Sequence, residues 1–175
     1  MGKDINVAVY IATSMSGRDK AELVKRAARV CEIFREYGIR PISPVIEEKV
    51  KDEPVKLINS NKEQLKKFWS RDKEILIKEA HVLFWDKAEQ KSFGVEREYG
   101  LMRFALWKPV VSYIAVGTPM SVASLEDDAI FSSVHQAAEY IVAKWGTARK
   151  RRLWRIKMLI RTLPLWVYRQ YLAWR

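Results

Sequence analysis

Four short apolar runs alternate with longer segments of helical period along this 175-residue chain. The runs are Ile5–Ala12, Ile39–Ser43, His81–Trp85 and Pro109–Ala115. They are mainly apolar rather than alternating, which is the pattern of strands buried on both faces. Asp19–Tyr37 places Leu23, Val24, Ala27, Val30, Cys31 and Phe34 three or four residues apart, with Lys and Arg between them. That spacing predicts an amphipathic helix, closed by Gly38, and Pro44 ends the strand that follows. Val45–Asn59 has mixed charge, Pro54 and no period, and reads as a loop lying over the site. Ser60-Asn61-Lys62-Glu63 fits a capping box opening a helix to about Ala80, and Ser133-Val134-His135-Gln136 fits another opening a helix to Trp145. A helix from Val95 to Leu106 and a polar loop from Gly117 to Asp128 complete the plan. Strands alternating with helices, joined by right-handed crossovers, predict an α/β fold with a doubly wound parallel sheet of four or five strands.

Composition agrees with one globular domain: 49% of residues are hydrophobic and 11% aromatic, enough to build a full core. The single cysteine, Cys31, excludes an intrachain disulfide and any multi-cysteine metal site, and its helical position predicts a core residue. The N-terminus runs from Lys3 and Asp4 directly into a strand without a signal peptide, and no apolar stretch is long enough to span a bilayer. The expected setting is therefore reducing and cytoplasmic.

The net charge of +11 suggests nucleic acid until it is located along the chain. Residues 147–175 hold nine Lys or Arg and no acid, which leaves residues 1–146 with 23 bases against 21 acids. Gly146 accordingly marks a boundary between an α/β domain, 1–146, and a basic, Trp-rich amphipathic tail, 147–175. In the tail Leu153, Ile156, Leu159, Ile160 and Leu163 share one helical face, with Arg151, Arg155, Lys157 and Arg161 mostly off it. Pro164 is expected to break this helix, ahead of Trp166, Tyr168, Tyr171 and Trp174. Such a segment suits a membrane surface or an acidic partner, equally a helix packed on its own domain or a second subunit, with nucleic acid behind these.

Two stretches carry candidate chemistry. Thr13–Arg18 lies where the first strand passes into the first helix, so free backbone N–H groups and the helix dipole point into it. The hydroxyls of Ser14 and Ser16, the flexible Gly17 and the cation of Arg18 suit a phosphate monoester, although small residues also serve any tight turn. The second stretch is Ser92-Phe93-Gly94-Val95-Glu96-Arg97-Glu98-Tyr99-Gly100, beyond the third strand. Ligands of open α/β sheets sit past the carboxyl ends of the strands, where Glu98 would lie. Glu96 and Glu98 are about 200° apart on a helix, so only one can face a cleft. Gly100 is expected to let that helix approach the sheet closely. A carboxylate at the cleft could attack an anomeric carbon, and a second group must assist the departing base. Asp72 and Asp86 are both candidates for that second role. His81 and His135 read as structural, as do Trp69, Trp85 and Trp107, though Trp85 at a strand end could stack on a base.

Tyr10-Ile11-Ala12-Thr13-Ser14-Met15-Ser16-Gly17-Arg18, the S-x-G-x-x-x-E-x-G stretch at 92–100, and Lys108-Pro109-Val110-Val111 together resemble the nucleoside 2-deoxyribosyltransferase superfamily. The resemblance covers about residues 5–116 and is nearest to the 2′-deoxynucleoside 5′-phosphate N-hydrolase branch, which carries serine where Ser92 stands. It implies a flavodoxin-like fold, Glu98 as nucleophile and Tyr10 as the tyrosine that orients it. It also implies a phosphate site of Ser14, Ser16, Gly17, Arg18 and Ser92, with Gly94 as a backbone contact. Asp72 corresponds to the general acid, at a spacing one residue longer than usual, and His81 stands where an Asp is common. No metal or organic cofactor is implied, and a homodimer or higher oligomer is.

The expected function is N-glycosidic cleavage or transfer on (deoxy)nucleoside 5′-monophosphates. The alternatives are a non-catalytic nucleotide-binding module tethered by its tail to membrane or an acidic partner, and an NAD glycohydrolase.

Overall fold

In a computed structural model of the chain, the described residues are 5–13, 19–47, 62–87, 93–115 and 127–173, the last helix beyond residue 160 by its backbone alone. Five strands form one parallel sheet: β1 (Ala8–Thr13), β2 (Arg40–Ile42), β3 (Val82–Asp86), β4 (Val110–Tyr113) and β5 (Ala129–Phe131). Their order is β2-β1-β3-β4-β5, every neighbouring pair parallel. That is the flavodoxin-like doubly wound order, in which the sheet is extended in both directions from a central pair. Here the centre is β1 against β3, in register from Val9 beside Val82 to Thr13 beside Asp86.

Alternation along the strands makes two cores. Val7, Val9 and Ile11 face one way with Val82, Phe84 and Val111, beneath helices α1 (Lys20–Glu36) and α5 (Val134–Trp145). Phe34 of α1 meets Phe84 edge to face, ring centroids 5.0 Å apart. Ala8, Tyr10 and Ala12 face the other way with Leu83 and Val110, beneath α3 (Lys62–Lys78) and α4 (Phe93–Gly100). Cys31 is buried in the first of these cores, as its helical position predicts.

Several boundaries differ from those the pattern suggests. Asp19 caps α1 by accepting from the Glu22 amide at 3.0 Å, and Gly38 takes a φ of +72°, as the periodicity and the glycine require. Pro44 opens a further short helix, α2 (Pro44–Glu47), because proline fits the first helical position, where its missing N–H has no partner to lose. The rest of the expected 45–59 loop, with the Ser60 and Asn61 caps, lies outside the described residues. The expected 95–106 helix is two pieces: α4 starts earlier, at Phe93, and continues as a π-helical turn over Leu101–Ala105. Trp107 then turns the chain with a φ of +49°, a left-handed conformation costly for a bulky residue. A Cβ placed on Gly100 would touch nothing within 4 Å, so this glycine does not serve close helix–sheet packing. β5 follows the polar loop as three residues, too short to show a period of its own. Finally, α6 (Ala148–Ala173) runs through Pro164 without a break. A proline within a helix removes one hydrogen bond, and the flanking turns can continue beyond it.

The amino ends of the strands are tied by two basic residues that sequence patterns read only as strand starts. Lys108, 7% exposed, donates to the carbonyls of Leu76, Ile77 and Ala80 at 2.6, 2.9 and 2.7 Å, closing the C-terminus of α3 with a cation. Burial, reinforced by Arg155, pushes its pKa down to about 8. His81 Nδ1 accepts from the Ala8 amide at 2.9 Å, so the ring is a structural acceptor at the amino ends of the central strands. Burial first, then Arg151, Lys108, Arg155 and Arg40, lowers the His81 pKa to about 4. The unfolded chain therefore binds a proton at His81 between pH 6.5 and 4 that the folded chain does not, and stability must fall as pH drops through that window. Denaturant midpoints followed from pH 7 to 4.5 should decline less steeply in His81→Asn than in the wild type. Parallel curves would show that His81 is not the source.

Candidate active site

Tyr10 is fully buried in the middle of β1 and faces α3 and α4. Its hydroxyl donates to Glu98 Oε1 at 2.9 Å. Glu98 lies two residues before the end of α4, half-buried, whereas Glu96 is exposed on the same helix. Helical rotation thus separates the two acids as the 200° argument requires. On α3, Asp72 lies near enough to the same phenol to be stabilised by its hydroxyl, and Arg71 pairs with Asp72 at 2.9 Å. Three side chains from a strand and two helices therefore meet at one buried oxygen.

The electrostatics of this cluster follow from its burial. The Tyr10 pKa is raised, first by burial, then by the Glu98 and Asp72 charges and the hydrogen bond to Glu98, with Arg71 opposing. Tyr10 stays a neutral donor at physiological pH and cannot act as a base. The Asp72 pKa is also raised: burial outweighs the lowering by Arg71 and by the Tyr10 hydroxyl.

Asp86, the other acid the sequence offered, belongs to a different layer. It follows Trp85 on β3, and alternation turns it towards α1. There it is 2% exposed and held by Arg26 in a two-point pair, Nε to Oδ2 at 2.6 Å and Nη2 to Oδ1 at 2.7 Å. Both oxygens are occupied on the opposite side of the sheet from Glu98, so Asp86 does not join the carboxylate pair. A groove of about 540 Å³ beside α1, lined by Arg26, Arg29, Tyr113 and Val134 among others, lies on Asp86's side of the sheet and contains neither Glu98 nor Asp72.

Around the cluster, Trp85 packs against Tyr99 with centroids 5.1 Å apart, and Lys87 Nζ lies 4.0 Å from the centroid of the Trp85 ring. Lys87 also pairs with fully buried Asp127 at 2.9 Å. Burial raises the Asp127 pKa and lowers that of Lys87, in each case against the pull of the partner. Arg97 covers Trp69 at 4.7 Å. None of these pairs has a sequence signature, because each joins residues from separate elements. Trp107 is at the surface, and His135 contacts Tyr37 on the outer side of α5.

Gly94 sits in the first turn of α4, where backbone N–H groups lack intrahelical partners. Ser14, Ser16, Gly17, Arg18 and Ser92 lie outside the described residues. Among the described residues no group of three or more His, Cys, Asp or Glu side chains could hold a metal ion.

No family model and no curated protein matches the sequence. Among solved structures, the chain is similar to a 2-deoxyribosyltransferase from the psychrotolerant bacterium Bacillus psychrosaccharolyticus, with 21% identity and a TM-score of 0.59 over 78% of this chain and 94% of that one. It is also similar to a CMP N-glycosidase of Clostridium botulinum, with 15% identity and a TM-score of 0.47 over 78% of this chain and 98% of that one. The first likeness establishes a shared α/β fold.

The Arg26–Asp86 pair makes a separate prediction about stability. Arg26→Ala leaves a buried carboxylate without its cation and should cost about 3 kcal/mol in chemical unfolding. Arg26→Ala/Asp86→Asn should recover part of that loss, and additive losses would show that the pair is not coupled.

Proposed function

We propose that this chain is an enzyme that cleaves or transfers the N-glycosidic bond of a (deoxy)nucleoside 5′-monophosphate. The observation that carries the reading is the Tyr10 hydroxyl, donating to Glu98 and lying within reach of Asp72. One carboxylate is oriented by a neutral donor, while the other is biased towards its protonated form by burial. Those are the two states that N-glycosidic cleavage requires, a nucleophile and an acid.

Glu98 would attack C1′ as the bond to the base breaks, and the bonding electrons would leave with the base. Asp72 would donate a proton to the departing nitrogen. The resulting glycosyl ester on Glu98 would then be opened by water, or by a second base in a transfer reaction, with Asp72 taking the proton back. Tyr10 would fix the carboxylate rotamer and release its hydrogen bond as the ester forms. The shared fold of the 2-deoxyribosyltransferase neighbour is compatible with this chemistry. The preference for a phosphorylated substrate rests on the sequence of Ser14–Arg18 and on Ser92. The reading also carries a homodimer or higher oligomer, for which sedimentation velocity of the purified chain should give more than one protomer per particle.

A panel of nucleoside 5′-monophosphates, with the matching nucleosides, should release free base from the monophosphates first. Glu98→Ala should abolish turnover. Asp72→Asn should lower kcat by about 10²–10⁴-fold for natural bases and far less for a substrate whose leaving group needs no proton. Tyr10→Phe should be slower with an unchanged KM. Equal turnover by wild type and Glu98→Ala would overturn the mechanism, and release of nicotinamide from NAD in preference to any base would redirect it to NAD glycohydrolysis.

A further inference from the structure

Helix α6 leaves the domain with two unlike faces. Trp154 packs edge to face on Trp145 of α5 at 6.3 Å, and Arg151 Nη1 donates to the Trp145 carbonyl at 3.0 Å. Arg151 and Arg155 also act on His81, at the amino end of β3. The first turns are thus held beneath the amino ends of the strands. Opposite that contact, Leu153, Ile156, Leu159 and Ile160 are 57%, 44%, 50% and 64% exposed. A buried-helix explanation therefore accounts for one face only.

The exposed stripe has a definite charge setting. Arg149 and Arg152 share its side of the helix by rotation, and Arg155 and Lys157 flank it on either side. No acid occurs anywhere in residues 147–175, so no charge within the helix offsets these cations. Packing two copies of this face together would bring like charges within a few ångströms, which disfavours self-association. Among the described residues no helix is long and apolar enough to cross a membrane. An apolar stripe bordered by cations, on a helix that does not span, suits an anionic lipid surface, into which the stripe dips while the cations meet the headgroups.

We propose that the outer face of α6, centred on Leu153, Ile156 and Ile160, docks the protein on anionic bilayers. Because the first turns of α6 lie at the amino ends of the strands, the carboxyl ends of β1 and β3, at Thr13 and Asp86, lie at the opposite end of the sheet from this contact.

The test is co-sedimentation of the full chain with vesicles of phosphatidylcholine alone and of phosphatidylcholine with 30% phosphatidylserine, the composition being chosen by the experimenter, at roughly 0.1 M salt and again at 0.5 M. Binding is expected only to the anionic vesicles and should weaken with salt. Arg149→Gln/Arg152→Gln should reduce the partition coefficient by roughly 30-fold, about fivefold per cation. Leu153→Glu/Ile156→Glu should abolish binding while leaving the melting temperature within a few degrees, since both side chains are exposed. No binding to either vesicle, or equal binding to both, overturns the proposal. So does a dimer that dissociates in Leu153→Glu/Ile156→Glu, which would assign the stripe to a second copy of the chain.

Discussion

Side chains on a strand alternate between faces, and in a sheet covered on both sides each polar group must find its partner in the helix layer it meets. β1 and β3 show the consequence. Tyr10 turns towards α3 and α4 and meets Glu98, with Asp72 alongside. Asp86 turns towards α1 and is held by two guanidinium nitrogens of Arg26. The two acid clusters are separated by the thickness of the sheet. One has become an ion pair that supports the fold. The other remains a set of two acids around a neutral phenol.

That difference separates a two-point ion pair from the cluster on which the proposed chemistry rests. An acid whose two oxygens are both held by a guanidinium is committed to a structural role. Asp72 has a cation beside it as well, yet burial still raises its proton affinity, and the partly exposed Glu98 accepts from the neutral Tyr10 hydroxyl. A tyrosine whose own pKa is raised suits that task, because its hydrogen bond orients without neutralising the carboxylate. The amino ends of the strands show the complementary economy: Lys108, His81 and Arg151 there satisfy backbone carbonyls and an amide. Cations gather under the sheet at the end opposite the proposed chemistry, and α6 begins among them.

Much of this could be read along the chain. Apolar runs located four strands, helical spacing found the packed faces of α1, α3 and α5, and Gly38 marked a turn that needed positive φ. The three-motif resemblance singled out Glu98 and Tyr10, which do meet. β5 escaped because three residues carry no measurable period, and the π-helical turn because its register depends on how Leu101–Ala105 settle against the sheet. Gly100 misled because a glycine says that a Cβ is absent without saying what stands nearby.

By itself the sequence determined the α/β plan, the charge asymmetry of residues 147–175 and the helical separation of Glu96 from Glu98, because each depends on local period or simple counting. Only the tertiary structure showed that Asp72 lies with Tyr10 and Asp86 with Arg26, since that depends on which helix each strand face receives. It alone showed which face of α6 packs on Trp145 and which carries Leu153, Ile156 and Ile160 outward. Periodicity identifies an apolar face, but the surface that covers it, or leaves it bare, comes from residues distant in the chain.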